Sequence, residues 1–195
     1  MGDLGALPAT FTAADARQAG VHPRELYAWR DSGRTVQLSR GVFRREDAPT
    51  PTYPDFLAVA HRAPLAVVCL VSAAAVWDLT DELPQAVHIA VPRGTRPPRI
   101  AFPPVEVSRF DAGTFELGLS EIDAADGEPV RIYSAARTTV DLMRLRHRIG
   151  EPLALGALRR YLGTPTARRA ELIEFARVLD VLGPVRSALD VLEAA

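Results

Sequence analysis

The chain has 195 residues, 48% hydrophobic and 24% charged, which suits one large domain or two small ones with an ordinary core. Its longest apolar stretch, around residues 63–76, is interrupted by Pro64 and Ser72 and is too short to cross a bilayer, while Cys69, the one cysteine, excludes an internal disulfide and a cysteine-built zinc site. Net charge is −1, but from Ala16 to Arg45 seven arginines stand against Glu25 and Asp31; seven minus two is +5, leaving −6 for the rest. A basic block on a slightly acidic chain is the pattern of a small module that meets a polyanion.

In chain order, residues 1–11 lack the basic start and apolar run of a signal peptide, so a cytoplasmic protein without membrane association is expected. Thr12 can cap a helix over Ala13–Ala19 that ends at Gly20, and Pro23 is placed for the first turn of a second helix, Pro23–Ser32, ending at Gly33. Leu26 and Trp29 share one face of it. Two short helices joined by a Gly-containing turn form a helix-turn-helix. Next, Thr35-Val-Gln-Leu alternates, Ser39-Arg40-Gly41 turns and Val42-Phe43 returns, a small hairpin. A helix-turn-helix followed by a hairpin is a winged helix.

Glu46–Pro54 is polar and carries Pro49, Pro51 and Pro54, which reads as an extended linker. The expected division is therefore 1–47 winged helix, 48–54 linker and 55–195 a second domain. In that domain Pro54–Arg62 and Ser72–Leu79 read as short helices, and Val87–Val91, Val105/Val107 and Val130/Ile132 as strands. Helices follow over Ala135–Ile149, up to Gly163, around Leu172–Leu179 and from Val185. The fold class is α+β: an N-terminal winged helix-turn-helix, then a domain with a small sheet and C-terminal helices.

In a helix-turn-helix the second helix enters the major groove, its first residues facing base edges. Here those are His22, Arg24, Glu25 and Ala28, and Arg24 suits a bidentate contact to guanine. Thr12, Tyr27, Arg34 and the wing-tip Arg40 are placed for phosphate contacts. The competing reading is a winged helix used for protein contacts, its arginines set by GC-rich coding in a chain without lysine or asparagine. The +5 asymmetry decides for double-stranded DNA. Arg93, Arg96 and Arg99 on the proline-rich loop 92–104 suit contact with nucleic acid or an acidic partner, or equally a solvated loop stiffened by proline. The Ala135–Ile149 helix, with Arg137, Arg144, Arg146 and Arg148 against Asp141, is either a partner-binding face or a solvated one.

Catalytic signals are missing. His22, His61, His88 and His147 show no metal-ligand spacing, and there is no nucleophile elbow, P-loop or dinucleotide fingerprint. No enzyme activity, cofactor or metal is expected, and Cys69 in its apolar run reads as a buried hydrophobe.

The run from Ile132-Tyr-Ser-Ala-Ala-Arg-Thr-Thr-Val-Asp through Ile149-Gly150 to Leu162 resembles the C-terminal domain of the AbiEi antitoxins, and Phe11–Arg45, with its Ser-Gly ending and Arg-Gly-Val-Phe wing, resembles that family's winged helix. The resemblance implies the antitoxin of a type IV toxin–antitoxin pair. Its first domain would repress the shared promoter, and its second would counter a nucleotidyltransferase-like toxin, with Arg93, Arg96, Arg99, Arg144 and Arg148 as partner contacts. One departure is that Met1–Pro8 is too short and Gly-interrupted for the full first helix that family members carry. The alternative is a stand-alone winged-helix transcription factor whose C-terminal domain senses a ligand.

Overall fold

The structure, a computed structural model, describes residues 3–193. The chain is α+β and divides into two compact units. One comprises Met1–Ala66 with Arg96–Val105 and Ile122–Val130; the other comprises Val67–Thr95, Glu106–Glu121 and Arg131–Ala195.

In the first unit Asp3 caps a single 3-10 turn, Leu4–Ala6, where the sequence reading noted the lack of a full helix over Met1–Pro8; the first two residues of that segment lie outside the described ones. Strand β1 (Thr10–Thr12) leads into helix α1 (Ala13–Gln18), then α2 (Pro23–Asp31), β2 (Thr35–Ser39) and β3 (Val42–Arg45). The sheet order is β1-β3-β2, all antiparallel, so the expected hairpin gains a third strand. A three-residue Thr-Phe-Thr strand is too short to show a period. Leu4, Leu7, Phe11, Ala16, Val21, Leu26, Trp29 and Phe43 form this unit's core, with the Phe11 and Phe43 rings stacked at 6.0 Å. Burying each large side chain contributes about 1.5–3 kcal/mol.

The division does not fall at residues 48–54. Helix α3 (Pro54–Arg62) buries Leu57, Ala58 and Val59 and packs on the three-stranded sheet. The segment before it is tied down at both ends: the Pro49 carbonyl accepts from Arg44 at 2.6 Å, and the Tyr53 N–H donates to the Ala124 carbonyl at 3.1 Å. Prolines remove donors but leave acceptors, so a proline-rich segment is anchored through its carbonyls.

The second unit is built on a five-stranded sheet ordered β6-β5-β4-β8-β7. Its strands are β4 (Val67–Val68), β5 (Val87–Pro92), β6 (Val105–Phe110), β7 (Leu119–Ala125) and β8 (Glu128–Tyr133); residues 122–130 of the last two, and Val105, are grouped with the first unit. The middle strand pairs antiparallel with β5 (Val67↔Ala90, Val68↔Ile89) and parallel with β8 (Val68↔Ile132). Its α-helices among the described residues are α4 (Leu70–Val76), α5 (Ala135–Arg144), α6 (Arg146–Ile149), α7 (Glu151–Gly163), α8 (Arg169–Val178) and α9 (Leu182–Glu193). The single helix expected over Ala135–Ile149 is broken at Leu145. Val140, Leu142, Met143, Leu158, Tyr161, Leu172 and Phe175 belong to this unit's core.

At the centre of that core is an ion cluster. Arg137 and Asp141 have no solvent exposure, and Arg137 Nε donates to Asp141 Oδ2 at 2.9 Å. Arg144 Nη2 lies 2.7 Å from the other carboxylate oxygen. Burial pushes the Asp141 carboxyl up, opposed by the two guanidinium groups. Arg137, expected on a solvated or partner-binding face, is instead structural, because its i,i+4 spacing to Asp141 turns both inward with the apolar stripe. Removing the carboxylate strands two guanidinium charges. Asp141→Ala is therefore expected to lower unfolding stability by about 3–5 kcal/mol, read as the midpoint of urea denaturation.

Candidate nucleic-acid interface

The first turn of α1 is a capping box: Thr12 Oγ1 accepts from the Asp15 N–H at 3.1 Å, and Asp15 Oδ2 accepts from the Thr12 N–H at 2.7 Å. These bonds hold the Asp15 carboxyl below its usual range. Gly20, at φ +80°, ends the turn after α1 in the left-handed conformation. His22 caps α2, its Nδ1 accepting from the Arg24 N–H at 3.2 Å, and Pro23 occupies the first turn. Leu26 and Trp29 are buried, while Arg24, Tyr27, Ala28 and Asp31 are exposed at i, i+3, i+4, i+7. One face of α2 thus faces water, and its Arg24 end is also the positive end of the helix dipole. Tyr27 is edge-on to Phe43 at 6.0 Å, under the Arg30 guanidinium at 4.9 Å. At the wing, Arg40 is exposed and the Gly41 carbonyl accepts from the Ala13 N–H at 2.9 Å, tying the turn to the start of α1.

The seven arginines of the basic block are not equivalent. Arg30 pairs with Asp31 at 2.7 Å, Arg45 with Asp47 at 2.8 Å, and Arg44 with Glu128. Arg44 is buried and also donates to Thr10 Oγ1 at 2.6 Å. Arg17, Arg24, Arg34 and Arg40 are exposed and make no ion pair among the described residues. The Arg34 guanidinium lies 5.5 Å from the Trp29 ring centre. Of the residues expected at DNA, His22, Arg24, Tyr27, Ala28, Arg34 and Arg40 lie at the surface. Thr12 is half-buried, and its hydroxyl is taken by Asp15, to which it also donates at 2.8 Å. That carboxylate repels a phosphate. The signal that could have found the capping box is the Thr-x-x-Asp spacing itself.

Of the expected partner contacts, Arg93, Arg144 and Arg148 line one pocket in the second unit together with Arg109, which the sequence reading missed. Arg96 and Arg99 are exposed and take no part in it; the Arg99 carbonyl accepts from Arg62 at 3.3 Å.

Ser72, His88 and Glu106 form a chain with Ser72 Oγ 3.3 Å from His88 Nδ1 and His88 Nε2 3.3 Å from Glu106, the reverse of the ring-nitrogen order in a hydrolase triad. Ser72 is 1% exposed and its hydroxyl accepts the His88 backbone N–H at 2.9 Å, a buried link between α4 and β5. Burial lowers the His88 pKa, with Glu106 opposing. Burial also pushes the Cys69 thiol up. Among the described residues no three His, Cys, Asp or Glu converge as a metal site, and no helix is long and apolar enough to cross a membrane.

The family model described as transcriptional regulator, AbiEi antitoxin, matches residues 9–45, the segment that holds β1, both helices and the wing. Among solved structures, the crystal structure of the RV2827C protein from Mycobacterium tuberculosis is similar, at 18% identity and a TM-score of 0.56 over 94% of this chain and 76% of that one. At that identity the likeness is one of fold. No curated protein matches the chain.

The sorting of arginines has a direct test in stability. Arg44→Ala leaves the Glu128 carboxylate, 20% exposed, without its partner, and is expected to cost about 3 kcal/mol in thermal or urea unfolding. Arg40→Ala, at the surface, is expected to change stability by less than about 0.5 kcal/mol.

Proposed function

We propose that this chain is a DNA-binding transcriptional autorepressor and the antitoxin of a type IV toxin–antitoxin pair, acting in the cytoplasm against a nucleotidyltransferase-like toxin. The observation that carries the regulator part is the coincidence of the family match at residues 9–45 with a winged helix-turn-helix whose second helix presents Arg24, Tyr27 and Ala28. In this reading α2 lies in the major groove, with Arg24 and His22 at base edges and Tyr27, Arg34 and Arg40 on phosphates. Thr12 is assigned to the capping box instead. The antitoxin part rests on the same family and on the arginines Arg93, Arg96, Arg99, Arg144 and Arg148 as contacts for a partner. A stand-alone regulator with a ligand-sensing second part is the other reading, favoured by the arginine-lined pocket. Co-expression with the neighbouring gene separates the two.

Because four arginines of the block make no ion pair among the described residues, promoter-duplex binding is expected to fall with salt at a log–log slope no steeper than about −3.6 per protomer, about −0.9 per phosphate. A slope near zero in a titration counts against the reading. Arg24→Ala is expected to cost about 1–3 kcal/mol on the operator and relax sequence choice there, while Arg40→Ala weakens all duplexes alike.

For the antitoxin role the full chain is the right reagent, since α3 and residues 122–130 group with the winged helix and a fragment starting at residue 53 would bare their buried faces. The Arg24→Ala/Arg40→Ala double variant is expected to lose promoter repression yet still protect cells that express the neighbouring toxin gene. Failure of the wild-type chain to protect removes the antitoxin assignment and leaves the DNA-binding one standing.

A further inference from the structure

The pocket lined by Arg93, Ser108, Arg109, Phe110, Asp111, Arg144, Leu145 and Arg148 lies wholly within the second unit and has a volume of about 180 Å³. Four guanidinium groups face one carboxylate there, a formal excess of +3 (four minus one). Even that carboxylate is engaged, since Asp111 Oδ1 accepts from the Gly113 N–H at 2.9 Å. Arg93, Arg109 and Arg148 make no ion pair among the described residues. Like charges repel one another, so the cluster is costly unless an anion neutralises it.

Two of the four charges are also held in place. Arg144 is anchored by Asp141 at 2.7 Å and stacks over the Phe110 ring at 4.8 Å, and its Nε is buried with no hydrogen-bond partner. Arg148 Nη2 donates to the hydroxyl of the buried Ser108 at 2.9 Å. Donors that are ordered before the ligand arrives, as Arg144 and Arg148 are, lose little entropy on binding. Planar guanidinium forks match the oxygen geometry of phosphate, and an excess of three charges suits a multiply charged anion better than a single carboxylate.

We propose that this pocket is a binding site for a phosphate group, free or carried by a small ligand. Its volume is below the roughly 300–1,000 Å³ of pockets that enclose drug-sized molecules, so the phosphate enters and the rest of the ligand lies outside. The apolar walls, Phe110 and Leu145, close a single concave seat. A nucleic-acid strand needs a groove with successive phosphate and stacking positions. The inference bears on the ligand-sensing reading of the second unit, and because its test involves neither operator nor toxin, its failure leaves the DNA-binding and antitoxin readings standing.

The test is calorimetric titration of the full-length chain with inorganic phosphate, pyrophosphate and ATP at constant ionic strength, with sodium chloride as the blank and a duplex DNA of arbitrary sequence as a further arm. Saturable binding of a phosphate-bearing probe is expected, and Arg109→Gln/Arg148→Gln is expected to weaken it about 100-fold, about tenfold per guanidinium. Arg93→Gln, which removes an exposed side chain with no ion pair among the described residues, is expected to weaken it about tenfold on a protein that folds as before. Arg159→Gln, exposed on α7 away from the pocket lining, is expected to bind as the wild type does. ATP binding more tightly than the inorganic probes identifies a nucleotide as the source; equal or tighter binding of the inorganic probes identifies free phosphate. No saturable binding of any of the three, undiminished binding by Arg93→Gln and the double variant, or a response to duplex DNA alone overturns the proposal.

Discussion

The guanidinium of Arg137 organises the second unit from its interior. Besides the Asp141 carboxylate, it donates from Nη1 to the carbonyls of Thr114 at 2.8 Å and Leu117 at 2.6 Å, and it stacks over the Tyr133 ring at 4.5 Å. Those carbonyls belong to the irregular turn that enters β7, where the Thr114 carbonyl also accepts from the Leu117 N–H at 3.3 Å. The neighbouring chain comes so close that a Cβ on Gly118 would sit 2.6 Å from the Arg137 Cβ, and Gly118 has φ +68° besides. Only glycine meets both conditions. The Gly118 carbonyl then accepts from the Ser134 N–H at 2.8 Å, directly before α5. One side chain thus fixes a turn, the end of β8 and the first turns of α5 against each other.

The same cluster determines what reaches the surface. Asp141 binds Arg137 through one oxygen and Arg144 through the other, so the buried pair holds a half-exposed third member at the rim of the pocket. Arg144 is therefore placed by charge on its inner side and by Phe110 across its face. A buried ion pair is a weak source of net stability, since desolvation offsets most of the attraction. Its value here is geometric: it orients guanidinium groups that chain entropy would otherwise leave mobile.

In the first unit Arg44 has the corresponding part on a smaller scale. It links Thr10, Pro49 and Glu128, three segments far apart in sequence, and its charge is used inside the fold. Arg45 and Arg30 lose theirs to neighbouring aspartates at the surface. What remains for a polyanion is Arg17, Arg24, Arg34 and Arg40, on the exposed sides of the two helices, the turn after them and the wing. Screening by salt acts fully on such exposed charges, which is why their contribution to binding is set by ionic strength.

Local signals determined much of this protein. Thr12, Pro23, Gly20 and Gly33 set the limits of α1 and α2; the Ser39-Arg40-Gly41 turn set the wing; and apolar periods placed α3, α7, α8, β5, β6 and β8 near their observed positions. Each of these depends on residues within a few positions of one another, which a sequence displays directly. The exposed face of α2 was legible for the same reason. Strands β1, β4 and β7 were not, because two- or three-residue strands carry no period and because β7 alternates weakly. Nor was the fate of the arginines. Arg44 meets a carboxylate 84 positions away, Arg148 meets Ser108 at a separation of 40, and Arg109 enters the pocket from a strand that the sequence marks only by its valines. A count of charges treats all arginines alike. A neutralised surface pair such as Arg30–Asp31 forms between sequence neighbours, but whether an arginine is a buried strut or a free cation depends on which distant groups the fold places within about 3 Å of it, and only the tertiary structure decides that.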